Sequence, residues 1–374
     1  MSQQTETFKS LEEKNVPINK GHFFELETKD RIEEFTRKLS FGWEKEYKEY
    51  RRLWNELPKK GIVREYPLLI DLETVSRCNL KCPMCPTITD DFINRRVKPF
   101  QKGQMDLDLM TRIINEVAGQ IYSLRLSWIG EPTLNKHLID AIKLAKKKNI
   151  KEVSFLTNGY KLKEKYFLKL LDAGIDLITI SIDGMGANYN KIRYPLKFDE
   201  TVKKLEFIQN YKEKNNLIKP LIKIQGVWPA IREYPEKFYN LFVPITDLIA
   251  FNPLIDYLHN DDESDIVYEN NFACPQHYQR LTIGSSGIAT MCSNDDMMYV
   301  TTGNSRHQTV YDIWHGEKLN KIRKAHSKFD GFKEISACRK CYVPRKTEES
   351  EKAIINGREV HIENYINRKQ TIGQ

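Results

Sequence analysis

No stretch of this chain comes near the roughly 18 consecutive apolar residues that a membrane helix requires, and the polar opening from Met1 to Lys14 lacks the pattern of a secretion signal. A cytoplasmic protein without membrane contact is therefore expected. Dense basic blocks are missing too. Lys and Arg number 59 against 51 Asp and Glu, a net charge of +8, but the lysines are scattered over segments such as Lys143 to Lys148 and Lys161 to Lys169 that read as solvated helix faces. With no nucleic-acid-binding module in view, specific nucleic-acid recognition is not expected, whereas a small anionic substrate, such as a phosphate or nucleotide conjugate, fits the charge. At 40% hydrophobic and 29% charged residues the composition is that of a folded globular chain, long enough for one large domain and a smaller one. Disorder is expected only at the ends, including residues 1 to 20. Cysteine is scarce and odd in number. Seven cysteines in a reducing compartment argue for metal binding over disulfides.

The seven divide as three plus four. The stretch Asp71 to Pro86 begins as an extended apolar segment and then sets Cys78, Cys82 and Cys85 in a Cys-x3-Cys-x2-Cys loop. Three cysteines interleaved with Asn79, Lys81 and two prolines are poor core material, and a zinc site would be one ligand short. Thiolates are the soft donors an iron-sulfur cluster uses, and three of them leave one iron open to a reactant.

Around this loop the chain alternates between two periodicities. Strands are predicted at Leu68 to Thr74, Ser123 to Trp128, Glu152 to Leu156, Leu177 to Ile182, Leu221 to Val227 and Asp247 to Phe251. Helices are predicted between them at Leu107 to Ala118, Lys136 to Lys148, Leu162 to Ala173, Phe198 to Lys212 and about Tyr234 to Phe242. Such alternation implies parallel pairing through crossovers. Each of the first four strands ends in something chemically notable: the cysteine loop, then Gly130-Glu131-Pro132, Thr157-Asn158-Gly159 and Ser181-Ile-Asp183. Strand carboxyl ends are where reactive groups gather in such sheets. Gln225 and Trp228 end the fifth strand and Asn252 follows the sixth, aimed at the same mouth. Before the alternation, Asp30 to Lys59 reads as two helices broken near Ser40-Phe41-Gly42.

Beyond an acidic linker, Asp256 to Asp265, Cys274 and Cys292 flank a hairpin that turns at Gly284 to Gly287; a helix follows at Val310 to Lys324, and then Cys338-x2-Cys341. Four thiolates on two short platforms make a closed site. By spacing alone it can hold zinc or a fully ligated 4Fe-4S cluster.

The cysteine loop resembles the signature of the radical SAM superfamily, with Met84 where an aromatic residue often stands. The resemblance implies a partial (β/α)6 barrel of parallel strands, with a 4Fe-4S cluster on Cys78, Cys82 and Cys85 that binds S-adenosylmethionine (SAM) and cleaves it to a 5'-deoxyadenosyl radical. Gly130-Glu131-Pro132 resembles the family's GGEP element, with Ile129 at its first position, which implies that Glu131 and Gly130 receive the SAM ammonium. The spacing of Ser181 and Arg193 resembles that of related enzymes in which such a pair holds the SAM carboxylate, a task suited to the planar guanidinium fork. Asn158 is a further candidate SAM contact, or a turn former next to Gly159. Residues 274 to 341, with the Cys-x17-Cys hairpin and the Asp312-Ile-Trp314 helix start, resemble the SPASM/twitch extension. That implies an auxiliary 4Fe-4S cluster on Cys274, Cys292, Cys338 and Cys341, and the cysteine count allows only one.

These readings divide the chain into a helical extension (1–60), the barrel (61–255), a small C-terminal SPASM/twitch-type cysteine domain (256–345) and a tail (346–374). They imply oxidation of a sugar, aminocyclitol or related small metabolite, with the auxiliary cluster taking an electron and a reductant such as flavodoxin or ferredoxin supplying the first cluster. Asp295 and Asp296, just past Cys292, are the candidate general bases. The alternatives are a peptide maturase forming a crosslink or an epimerised residue, and a cluster scaffold without turnover. The segment before the barrel shows no strand pattern of a leader-peptide-binding domain.

Overall fold

The computed structural model describes residues 11–20, 26–100 and 103–372. Six strands, β1 (Leu69–Leu72), β2 (Ser123–Arg125), β3 (Glu152–Thr157), β4 (Leu177–Ser181), β5 (Leu221–Val227) and β6 (Leu248–Asn252), lie side by side in chain order. Every neighbouring pair is parallel. β1 is buried along its whole length, as a strand covered on both faces must be. The returning helices place an apolar stripe against the sheet. Helix Leu107–Val117, for example, buries Leu109, Met110, Ile113, Ile114 and Val117, and Asp106 caps it by accepting from the Leu109 amide at 2.8 Å. The result is the parallel pairing that the alternation predicts, in the partial barrel that the resemblance implies.

The hairpin of the second cysteine set does not stand apart from this barrel. β7 (Arg280–Ile283) pairs parallel with the free side of β1, Leu69 opposite Arg280 through Leu72 opposite Ile283. β8 (Ile288–Thr290) and β9 (Thr301–Asn304) extend the same sheet antiparallel, nine strands in all. The helix predicted at Val310 to Lys324 is two helices, Val310–Trp314 and Glu317–Ser327. At Gly316, between them, a Cβ would come within 2.9 Å of the Asp312 carbonyl oxygen.

Three segments differ from the expectations. Residues 11–20 are docked: Leu11 is buried, and the Asn15 and Ala273 amides reach Asn271 O and Asn15 O at 3.0 and 2.9 Å. The expectation of disorder for residues 1–10 lies outside the described residues. The tail forms a hairpin of β10 (Thr347–Ile355) and β11 (Arg358–Tyr365), burying Ala353, Ile355, Val360, Ile362 and Tyr365. It turns at Asn356-Gly357, both at positive φ (50° and 76°), the two-residue turn that matches strand twist. Finally, the acidic linker is a clamp as well as a connector. Asp256 accepts from the Asn260 and Asp261 amides, each at 2.9 Å, while Arg345 and Arg368 both pair with Asp261. Buried charge is tolerable here because each arginine meets a carboxylate.

Candidate active site

The strand ends converge on one cleft of about 1000 Å³. Its walls carry Cys78, Cys82 and Cys85, and with them Gly130, Glu131, Asn158, Ser181 and Arg193. The structure thus brings together the cysteine loop and all five candidate SAM contacts. Gln225 and Asn252 also line it. Trp228 does not; it is buried against Phe251, and its indole N–H donates to Glu351 of β10 at 3.0 Å.

Gly130 is required by space. A Cβ there would lie 2.1 Å from Val75 O and 2.8 Å from Arg77 O, so only glycine lets the β2 end approach the cysteine loop. The Glu131 amide then donates to Arg77 O at 3.0 Å. Glu131 is buried, and burial pushes its carboxyl above the ordinary range, opposed by hydrogen bonds. Oε1 accepts from the Thr133 amide at 3.1 Å and Thr157 Oγ1 at 2.7 Å, while the Asn158 amide donates to Oε2 at 2.8 Å. Oε2 retains accepting capacity for a cation. Asn158 Nδ2 donates to Asn79 Oδ1 at 2.9 Å, tying the β3 end to the cysteine loop.

Arg193 is oriented by a residue to which the sequence reading gave no role. Its Nε donates to Asp183 Oδ2 at 2.7 Å, and Asp183 Oδ1 accepts from the Val227 amide at 2.9 Å. Asp183 was visible only as part of the Ser181-Ile-Asp183 strand end. Trp128 and Tyr257 also line the cleft and went unrecognised. Nothing in their local sequence marks them, since their roles depend on segments far along the chain.

Cys274, Cys292, Cys338 and Cys341 line a second cavity of about 310 Å³, walled by Phe272, Met291 and two histidines. All seven cysteines are free thiols. Burial pushes Cys78 and Cys274 up to about 12 and Cys341 up to about 11, with Cys292 and Cys338 also raised well above the ordinary thiol range. Buried thiols of this kind ionise when a metal's positive charge takes the place of their protons. Two all-sulfur donor sets, each facing its own cavity, fit iron-sulfur clusters.

The two sites share a wall. Trp128, at the rim of the first cleft, donates from its indole to the carbonyl of Ser293, the residue after Cys292, at 2.7 Å. Arg96 stacks over Trp128 at 4.3 Å, pairs with Glu73 at 2.6 Å and donates to the Asp296 carbonyl. Of the two candidate bases, neither lines the cleft; both line a separate cavity with His259 and Lys340, and Asp296 also lines a smaller one that shares Tyr257 with the cleft. Asp295 is engaged within its own loop, accepting from Thr290 Oγ1 at 2.6 Å and from the Tyr299 and Val300 amides at 2.8 and 2.9 Å. Asp296 is buried, with Oδ1 3.4 Å from His259 Nε2 and Oδ2 without a hydrogen-bond partner among the described residues.

A family model of the radical SAM superfamily matches residues 72–219, and a second, SPASM, described as an iron-sulfur cluster-binding domain, matches residues 274–342. Among curated proteins, the chain is 25% identical over 211 residues to the tungsten-containing aldehyde ferredoxin oxidoreductase cofactor-modifying protein of Pyrococcus furiosus, a match covering 54% of this chain and 55% of that one. It is 34% identical over 123 residues to a GTP 3',8-cyclase of Synechococcus, covering 32% of this chain and 33% of the cyclase. The chain therefore spans about half the length of the first of these relatives and a third of the second. Among solved structures, BtrN in complex with AdoMet and 2-DOIA aligns with a TM-score of 0.53 at 17% identity, covering 74% of this chain and 92% of BtrN. SuiB of Streptococcus suis bound to S-adenosylmethionine aligns with a TM-score of 0.53 at 14% identity, covering 84% and 82%. At such identities these two likenesses concern the fold.

Proposed function

The chain belongs to the radical SAM superfamily and carries a SPASM-type iron-sulfur domain, and on that premise we propose that it dehydrogenates a sugar, aminocyclitol or related small metabolite, turning an alcohol into a ketone. Its cofactors are S-adenosylmethionine and 4Fe-4S clusters in both regions. The observation that carries the reading is the shared wall. A substrate in the first cleft would lie next to Trp128, whose indole is bonded to the residue after an auxiliary-site cysteine.

Cys78, Cys82 and Cys85 would hold the first cluster, and Cys274, Cys292, Cys338 and Cys341 the auxiliary one. When bound, the first cluster and S-adenosylmethionine supply a 5'-deoxyadenosyl radical that removes a substrate hydrogen atom, and the auxiliary cluster supplies a one-electron acceptor. The remaining work belongs to side chains. Glu131 Oε2 takes the SAM ammonium, with Gly130 setting the approach of its backbone. Asp183 holds Arg193 in the orientation that presents its fork to the SAM carboxylate, beside Ser181. Trp128 and Tyr257 supply flat apolar faces for a ring-shaped substrate, while Gln225 and Asn252 offer hydrogen bonds to hydroxyl groups. A protein of this chemistry works with a reductant such as flavodoxin or ferredoxin in the cytoplasm. The GTP cyclase among the relatives keeps a nucleotide among the candidate substrates.

The test is anaerobic reconstitution followed by incubation with candidate polyols, aminocyclitols and sugar phosphates, each deuterated at one carbinol carbon. Deuterium appearing in 5'-deoxyadenosine, with a product two mass units lighter than the unlabelled substrate, supports dehydrogenation. Transfer with a product equal in mass to the unlabelled substrate points to epimerisation, and turnover confined to peptides points to maturation; either would end the proposal.

A further inference from the structure

A group that accepts one electron gains one negative charge, and in an iron-sulfur site much of that charge spreads onto the sulfur atoms. Hydrogen bonds donated to those sulfurs stabilise the reduced form and raise the reduction potential. The N–H groups around the second cysteine set are therefore part of its chemistry. Cys341 Sγ accepts two of them, from the Val343 amide at 3.5 Å and from Asn294 Nδ2 at 3.7 Å. The backbone amide of Asn294 also hydrogen-bonds to the thiol of Cys292. One residue thus serves two of the four sulfurs, and as an amide it remains a donor at any working pH.

Asn294 lines the auxiliary cavity, and it owes that place to the loop that carries it, since its side chain makes no other hydrogen bond among the described residues. The loop is fixed on both sides. Before Asn294, the Ser293 carbonyl accepts from the Trp128 indole at 2.7 Å, and Ser293 Oγ donates to Gln276 Oε1 at 2.9 Å. After it, the Asp296 carbonyl accepts from Arg96, whose guanidinium lies 4.3 Å from the Trp128 ring. Two of these anchors, Trp128 and Arg96, belong to the wall shared with the first cleft.

We propose that Asn294 raises the reduction potential of the auxiliary iron-sulfur site by donating N–H to the Cys341 and Cys292 sulfurs, and that Trp128 is the positioning residue that holds its loop against them. The inference rests on Cys274, Cys292, Cys338 and Cys341 being the auxiliary ligands, and it gives the dehydrogenase reading its electron sink. In that step the carbinol radical loses one electron to the auxiliary site and one proton to water, and the C–O bond becomes C=O. The site becomes more negative by one charge, and the Asn294 donors face the sulfurs that take it up. Because Trp128 lines the cleft, the surface that a substrate touches also fixes the loop that sets the acceptor's potential.

Asn294→Leu keeps the size of the side chain and removes its donor, while Trp128→Phe keeps an aromatic ring and removes the bond to Ser293. The quantity read is the midpoint potential of the auxiliary site in the anaerobically reconstituted protein, followed by electron paramagnetic resonance during a redox titration. The auxiliary signal is the one that added S-adenosylmethionine leaves unchanged. In Asn294→Leu the potential is expected to fall by about 59 mV or more, a tenfold change in the one-electron equilibrium. Trp128→Phe should lower it by less, and Asn294→Gln, which restores an amide donor, should recover part of the fall. Iron is counted in every sample, so that a shift is read only at about eight irons per chain. An unmoved or raised potential in Asn294→Leu at that count would overturn the inference. Trp128→Phe leaves Asn294 and all four ligands in place, so it decides the matter where Asn294→Leu loses iron, and a parental potential there would equally overturn it. About four irons in the parent itself would instead overturn the ligand assignment, and this inference with it.

Discussion

Replacing Arg96 with methionine keeps its length and apolar stem but removes a charge buried in the wall between the two cysteine sites. The Arg96 side chain is 3% exposed and Glu73 is fully buried, with Nη2 and Oε2 2.6 Å apart. Glu73 Oε2 also holds Ser76 Oγ at 2.6 Å and the Ser285 amide, in the β7–β8 turn, at 3.1 Å. Taking one partner from a buried pair leaves the other uncompensated and costs about 3–5 kcal/mol. With an unfolding entropy near 2.1 cal/mol/K per residue, a chain of this length loses roughly 0.8 kcal/mol per degree, so Tm should drop by about 4–6 °C. Differential scanning calorimetry of the anaerobically reconstituted protein reads that shift. Glu73→Gln combined with Arg96→Met should cost less than the two single changes together, by at least about 1 kcal/mol, because the double variant leaves no orphaned charge. Amide exchange around Asn294 to Met298 should also rise, since Arg96 donates to the Asp296 carbonyl. A drop below about 1 °C, or additive single changes, would refute the view of this pair as the strut of the wall.

Gly130→Ala should strip the first cluster and spare the second, because its Cβ meets backbone of the cysteine loop; iron falling from about eight to about four per chain, with the auxiliary signal retained in electron paramagnetic resonance, is the expected result. Cys338→Ser should give the same iron count with the opposite cluster lost. Asp183→Asn leaves Arg193 in place but unpaired, so SAM affinity should weaken by about tenfold or more while iron content holds, as isothermal titration would read.

Much of this arrangement is legible in the sequence because it is local. Cys78, Cys82 and Cys85 sit within eight residues, Gly130 and Glu131 are adjacent, and strand ends follow from hydrophobic periodicity that needs no partner to be seen. The five parallel crossovers are equally local, each a strand, a helix and the next strand. What escaped is long-range. β7 pairs with β1 through backbone groups that any residue could supply, and Trp128 finds Ser293 across the sheet. The role of Asp261 emerges only when Arg345 and Arg368 arrive from the tail. The tail hairpin is a different case. Asn356-Gly357, flanked by alternating apolar positions, is a strong hairpin signal that lies within the local sequence.

The parallel pairing of β7 with β1 also sets an order of events during synthesis. β1 is a central strand, yet one of its two neighbours is made about 200 residues after it, so the sheet stays open on that side for most of translation. At about 5–20 residues per second that interval lasts roughly 10–40 s, during which the backbone groups on one side of β1 lack their partner. The arrival of β7 is therefore the step that turns β1 from an edge strand into a central one and joins the second cysteine region to the first.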